Sequence, residues 1–204
     1  MSNFLAVDTS SKHLTVVAVK GDREVVNFIP DCAMRHSVLL MDEIERTLGE
    51  ANLTPAECDF FVAVSGPGSF TGIRIGISCV KGFATALNKK CLSVTAFDLI
   101  AYNVKSSMPY AVAIDAAHGC YYVSGYTAQG VCDIQPCYIS KEALTGLNRP
   151  IYGFEELNLE GYTKVDIGSC LAPAALGCAK EGVYALYVRK SQAEEERIAR
   201  LNAR

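Results

Sequence analysis

Apolar residues along this chain follow two rhythms. Short, nearly continuous apolar runs alternate with longer segments whose apolar residues recur every three or four positions, the periods of strands and helices. Phe4 to Asp8, Leu14 to Val19 and Glu24 to Ile29 read as three strands, with a short polar turn and a tight Gly21-Asp22 turn between them. Met34, Val38, Met41, Ile44, Leu48 and Ala51 mark one face of a helix from about Met34 to Ala51, which Leu39 and Leu40 widen beyond a single core contact. Thr54-Pro55-Ala56-Glu57 has the form of a capping box with proline at the first helical position. Cys58 to Val64 then reads as a buried strand. A second helix runs from Thr71 to about Asn88, with Ile73, Ile77, Val80, Ala84 and Leu87 on one face. A strand from Cys91 to Thr95 and a helix from about Phe97 to Asn103 follow, and Ser106 to Pro109 reads as a boundary.

The same order then repeats. Tyr110 to Asp115, Cys120 to Tyr126 and Val131 to Ile139 are expected as three strands, and Ser140 caps a short helix stopping near Gly146. Short strands from Ile151 to Phe154 and Lys164 to Ile167, a helix from about Cys170 to Glu181, and an extended run through Lys190 and Ser191 to the charged Glu194-Arg197 end complete the chain. Asp8 and Asp115 close the first strand of each half, the mark of a structural duplication. The expected fold is α/β, a duplicated ribonuclease H-like fold of the actin, sugar kinase and Hsp70 type. Its two mixed-sheet subdomains are placed at 1–105 and 106–204. In that superfamily the aspartate after the first strand handles phosphate and Mg²⁺, so Asp8, Thr9 and Ser10 are the candidate nucleotide contacts.

Composition narrows the function. The chain has 204 residues, half of them hydrophobic and a fifth charged, with a formal net charge of −3. Such a balance fits a globular protein and argues against gripping nucleic acid through a global positive field. No apolar run approaches twenty residues and no signal-peptide core is visible, so no membrane association and a cytoplasmic location are expected. The nine cysteines are odd in number, lack a C-x-x-C pair and lie mostly in apolar runs, as reduced core residues do.

The densest motif is Ser65 to Gly76, a glycine-rich turn between a strand and a helix. One reading is a phosphate cradle. However, Gly72-Ile73-Arg74 stands where a Walker loop has Gly-Lys-Ser/Thr. The preferred reading is a tight turn whose Gly68, Gly72 and Gly76, with Gly82 beyond, let another backbone approach closely, offsetting their cost of about 1 kcal/mol each in a helix. Arg74 opposes the dipole of the helix start and is expected to meet a carboxylate or a partner group. His36 is expected at a cap or interface, and His118 as an ordinary turn residue.

GPGSFTGIRIG from Gly66 to Gly76, FLAVDTS from Phe4 to Ser10, Arg35-His36-Ser37 before Leu39-Leu40, and Tyr187-Val188-Arg189 together resemble the bacterial tRNA threonylcarbamoyladenosine biosynthesis family TsaB (YeaZ-type). The resemblance spans nearly the whole chain. It implies a non-catalytic paralogue of TsaD that pairs with TsaD, works with the ATPase TsaE, contacts tRNA through the complex, and forms homodimers alone. The helix pair would be the interface, through His36, Leu40, Met41, Ile44, Leu48, Gly72, Ile73, Arg74, Gly76, Ile77 and Val80. ATP or ADP could sit at that interface, with no cofactor held by the chain alone. TsaD carries its metal on a His-x-x-x-His helix, and in this chain Ala96 and Ile100 occupy those two positions, so no catalytic residue and no metal are expected. Asp115-Ala116-Ala117-His118 departs from the family's Asp-Ala-Arg. Lys89, Lys90, Arg189 and Lys190 are the candidate tRNA contacts. The rival expectation is a stand-alone nucleotide-dependent phosphotransferase or glycoprotease-like enzyme; a simple tRNA-binding module fits the acidic balance poorly.

Overall fold

A computed structural model describes residues 2–189 of the chain. Lys190, Ser191 and Glu194-Arg197 lie outside the described residues. Three strands, β1 (Phe4–Asp8), β2 (Leu14–Lys20) and β3 (Arg23–Ile29), form the expected antiparallel meander. Helix α1 (His36–Ala51) follows, then β4 (Phe60–Val64), α2 (Phe70–Leu87), β5 (Lys90–Val94) and α3 (Ala96–Asn103). The second half runs β6 (Tyr110–Asp115), β7 (Cys120–Tyr126), β8 (Cys132–Ser140), α4 (Lys141–Thr145), β9 (Ile151–Gly153), β10 (Tyr162–Lys164), α5 (Leu171–Gly177) and β11 (Lys180–Glu181).

The duplication is written in the strand order. One sheet is ordered β11-β5-β4-β1-β2-β3 and the other β10-β9-β6-β7-β8. In each, an antiparallel meander adds two parallel strands on the side of its first strand. Asp8 and Asp115 end equivalent strands. This is the duplicated ribonuclease H-like fold expected.

Every residue of β1 is buried because both faces of its sheet are covered. Leu5 and Val7 face α1 and α2, packing with Leu40, Ile44, Leu48, Ile73, Ile77 and Val80. Phe4 and Ala6 face the other way, into a core that α3 and α5 share with Tyr110, Val112 and Ile114 of the second sheet. The outer face of the second sheet closes over Ala111, Ala113 and Val123 with Leu144 of α4. Helix ends carry the expected chemistry. Ser69, Thr95 and Ser140 accept backbone N–H groups at the starts of α2, α3 and α4, while Asn52 and Asn88 take the left-handed conformation that ends α1 and α2.

Three expectations are corrected. Helix α1 starts at His36 rather than Met34, whose φ of 68° cannot continue a helix. The expected strand from Lys164 to Ile167 ends at Lys164, and Ile167–Ser169 forms one 3-10 turn in which Asp166 accepts the Gly168 N–H. The helix expected to reach Glu181 stops at Gly177, and Lys180–Glu181 instead pairs antiparallel with Leu92 and Ser93 of β5. The boundary at 105/106 therefore separates the two meanders, but the segment after it returns to complete the first sheet.

The glycines of α2 divide sharply. A Cβ on Gly72 would fall 2.0 Å from the Thr9 carbonyl oxygen and one on Gly76 2.5 Å from Thr9 Oγ1, whereas one on Gly82 meets nothing within 4 Å. Gly72→Ala should cost about 1–3 kcal/mol through overpacking against backbone. Gly82→Ala should gain up to about 1 kcal/mol from helix propensity. Urea denaturation of both variants checks the pair; equal effects would mean that the close approach does not govern α2.

Candidate functional site

The turn after β1 is welded to the start of α2. Asp8 Oδ1 accepts the Ser10 N–H at 2.8 Å and the Ser10 hydroxyl at 2.7 Å. Thr9 Oγ1 donates to the Gly72 carbonyl at 2.6 Å, and the Ser69 N–H donates to the Ser10 carbonyl at 2.7 Å. A Cβ at Gly68 would fall 2.1 Å from that same Ser10 oxygen. Asp8, Thr9 and Ser10 are all buried. The close backbone approach read from the glycine spacing is real, and its partner is the chain's own first turn.

A cleft of about 490 Å³ opens beside this weld, between the two halves. Ser10, Lys12, His36, Ser69 and Gly72 line one side; Asp115, Ala117, Tyr122 and Glu155 line the other. Asp8 and Thr9 are not in the lining. Of the expected nucleotide contacts, only Ser10 reaches the cleft, because the other two side chains are spent inside the weld. Burial raises the carboxyl pKa of Asp8, against the lowering effect of the Ser10 hydrogen bonds. Glu155, which the sequence reading missed, is also raised by burial while its Oε2 accepts the Asp115 N–H at 2.6 Å. His118, with Ala117 and Gly119, lies in a left-handed turn and is exposed. His36 starts α1 with its ring buried, Nε2 sitting 3.0 Å from the His13 carbonyl oxygen, and so fastens the helix to the turn between β1 and β2.

The expected interface set divides by burial. Leu40, Ile44, Leu48, Gly72, Ile73, Gly76, Ile77 and Val80, like His36, face inward and are spent in the chain's own core. Met41 and Arg74 are exposed. Apolar residues that this side presents outward are Met41 together with Met34, just before α1, and Val38. Met34 is 97% exposed, Val38 68% and Met41 53%, beside half-buried Ile75, Cys79 and Phe83 at four-residue intervals along α2. Cys79 Sγ lies 3.8 Å from Met41 Sδ, so the two stripes form one face. Of the expected set, Met41 and Arg74 are therefore the members that stand at the surface of this chain, and the rest lie in its core.

Among the described residues, Arg74 makes no ion pair with a carboxylate. Its Nε donates to the Tyr187 hydroxyl at 2.9 Å, and its guanidinium lies 5.7 Å from the ring centroids of both Phe70 and Tyr187. Those rings stack 4.4 Å apart at 4°. The segment carrying Tyr187 straps the glycine loop: the Leu186 N–H donates to the Ser65 carbonyl, and Val183 is buried beneath α2 and the first sheet. Arg189 continues across to the second half, stacking 4.9 Å from the Tyr138 ring. Sequence singled out Tyr187 without its role; the aromatic at Phe70, one helical turn before Arg74, was the available signal.

Ala96 and Ile100, the two positions that the resemblance set against a His-x-x-x-His pair, lie in the hydrocarbon core between the sheets, at 1% and 0% exposure. All nine cysteines are free thiols, and burial pushes Cys58 and Cys79 up to about 11 and Cys170 up to about 12.

Comparison with known proteins follows the same lines. A family model described as "TsaD: tRNA N6-adenosine threonylcarbamoyltransferase" matches residues 25–172. The Bacillus subtilis tRNA threonylcarbamoyladenosine biosynthesis protein TsaB is 30% identical over 99 residues, 48% of this chain and 43% of that protein. The protein of the same description from Buchnera aphidicola subsp. Schizaphis graminum is 27% identical over 128 residues, 60% of this chain and 59% of its own length. Both matches span less than two thirds of those relatives. Among solved structures, a Pseudomonas aeruginosa protein described as similar to the peptidase YEAZ superposes with a TM-score of 0.74 at 23% identity, covering 93% of this chain and 100% of that one. YeaZ from Pseudomonas aeruginosa superposes at 0.62 and 28% identity over 70% and 68% of the two chains. Among the described residues, no helix is long and apolar enough to cross a membrane.

Two measurements test the site. Asp8 and Glu155 hold their protons more tightly folded than unfolded, so the folded chain binds more protons between the ordinary carboxylate range and the raised values. Their contribution is present at low pH and is lost as pH rises through that interval. Glu57 is held down at about 2 by Thr54 and Lys20 and works in the opposite direction, so the quantity to read is a difference. Glu155→Gln should gain stability over the parent as pH rises from about 4 to 8, followed by chemical denaturation; a widening loss would contradict the assignment. Tyr187→Ala should cost about 1–2 kcal/mol, one aromatic stack plus one hydrogen bond, and speed proteolysis of the strap. A change within experimental scatter would mean that the strap is not anchored by Arg74.

Proposed function

Because the chain belongs to the family described as TsaD, tRNA N6-adenosine threonylcarbamoyltransferase, and is of the TsaB/YeaZ type within it, we propose that it is a non-catalytic scaffold for threonylcarbamoyladenosine formation on tRNA. The observation that carries this reading is the apolar face at the helix pair, where exposed Met34, Val38 and Met41 stand beside half-buried Ile75, Cys79 and Phe83 while the deeper faces are spent in the core. A contiguous exposed apolar face on an otherwise well-buried chain marks a protein–protein contact. Its proposed occupant is the TsaD-type enzyme of the same cell, and in that enzyme's absence a second copy of this chain. TsaE completes the assembly. Cytoplasmic location follows from this role.

Scaffolding of this kind works by binding one conformation of the partner more tightly than the others. The hydrocarbon at Ala96 and Ile100 leaves the transfer chemistry, and the metal that TsaD holds, to the partner. ATP or ADP at the assembled interface would enter the 490 Å³ cleft against Ser10, Lys12 and Ser69 rather than Asp8 and Thr9. Of the basic residues, Lys89, Lys90 and Arg189 remain candidates for tRNA held jointly with the partner, Arg189 while stacked on Tyr138.

Reconstitution of threonylcarbamoyl transfer tests the proposal. Adding this chain to the TsaD-type enzyme should raise the rate, and Val38→Asp with Met41→Asp should reduce that stimulation by about tenfold or more while leaving the fold intact, since both side chains are exposed. An enzyme equally active alone would overturn the proposal, as would stimulation unaffected by the double variant.

A further inference from the structure

A second, larger cleft of about 920 Å³ lies away from both the glycine loop and the partner-facing helices. Its walls come from the end of α3, the turn between β7 and β8, and the segment entering β11, so three chain regions distant in sequence converge there. The volume is at the upper end of the range for small-molecule sites.

The side chains in it are chemically distinct from one another. Tyr102 stands on the wall half exposed. Its ring lies across Gly177, where a Cβ would fall 2.0 Å from the phenol oxygen. The absence of a side chain at Gly177 lets the Tyr102 ring rest against the end of α5 while half of its surface stays exposed on the cleft wall. Lys105 and Lys180 reach the cleft from two separate segments. Both are exposed, and no ion pair among the described residues engages either. On the floor, Asp98 Oδ1 accepts the Tyr126 hydroxyl at 2.9 Å. Burial raises the Tyr126 pKa, so that phenol keeps its proton and remains the donor. Among the described residues no hydrogen bond engages the other Asp98 oxygen, which faces a ligand's donor in this proposal, and Gln129 is part of the lining.

A half-exposed aromatic ring selects a planar ring, two ammonium groups without an ion pair among the described residues select a phosphate, and an acceptor carboxylate selects an amino or hydroxyl donor. We propose that this cleft binds a nucleoside monophosphate, with the base on Tyr102, the phosphate between Lys105 and Lys180, and a base amino or ribose hydroxyl group donating to Asp98. Binding here is independent of the partner-docking helices. It also differs from the cleft beside Asp8, whose lining shares no residue with it.

Calorimetric titration of the full chain with AMP, GMP, CMP and UMP, against adenosine and inorganic phosphate separately, tests the proposal. At least one nucleotide should bind about tenfold or more tightly than either half alone, since each half raises the effective concentration of the other. Lys105→Gln with Lys180→Gln should weaken that binding about tenfold and steepen its loss no further in salt, because the charges responsible are gone. Tyr102→Leu should weaken the nucleotide while leaving phosphate unchanged. Should Tyr102→Leu perturb folding, the lysine pair, lying at the surface, decides alone. No saturable binding by any nucleotide would overturn the site, as would phosphate binding as tightly as the nucleotides, or nucleotide binding that the lysine variant leaves intact. Val38→Asp with Met41→Asp should retain nucleotide binding, so failure of this site and failure of the docking face read out separately.

Discussion

Between the first turn and the second helix there is no room for a Cβ. Gly68 and Gly72 let the loop and the start of α2 press onto the backbone of Ser10 and Thr9, Gly76 makes room for the Thr9 hydroxyl, and much of the first half is arranged by that contact. It sets the height of α2 on the sheet, and with it the depth to which Ile73, Ile77 and Val80 reach the core. It also consumes Thr9 and one oxygen of Asp8 in internal hydrogen bonds. The turn thereby holds two elements together. The cost of glycine in a helix is offset by close packing inside one molecule.

The chain's course after α4 extends the same logic. Once β9 and β10 have completed the second sheet, the chain returns to the first, adds β11 to its edge, and crosses the glycine loop. Tyr187 closes over Phe70 and Arg74, and Arg189 carries the strap to Tyr138 in the second half. Loop, helix start and strap thus form one body, with both halves anchored to it. Helices α1 and α2 are held rigidly from beneath and keep an apolar face outward, which suits a surface whose work is to hold a partner.

Most of the fold was legible because its signals are local. Strand period, glycine turns and Ser or Thr caps located nearly every element, and the repeated order exposed the duplication that the strand topology bears out. The misplaced pieces depend on longer-range facts. Lys180–Glu181 becomes a strand only because β5 offers an open edge, and Met34 leaves the helix because of its left-handed backbone. The site was less legible for the same reason. Periodicity shows that Leu40, Ile44 and Leu48 share a face of α1, but not whether that face meets the sheet or the solvent. Arg74 was correctly singled out as a cation needing a partner, yet its aromatic partner Tyr187 is 113 residues away in the chain. Glu155 and the cleft around Tyr102 carry no motif, since each arises where separate segments converge.

The central claim, that α1 and α2 dock a TsaD-type enzyme through their outward edge, is most directly tested by hydroxyl-radical footprinting of methionines. Met34 and Met41 lie on that edge, while Met108, 52% exposed, lies outside it and serves as an internal reference. Thioether oxidation tracks exposure at each position. On adding the enzyme, oxidation of Met34 and Met41 should slow several-fold while that of Met108 is unchanged. Unchanged rates at Met34 and Met41 in a formed complex, or protection confined to Met108, would place the contact elsewhere and contradict the account.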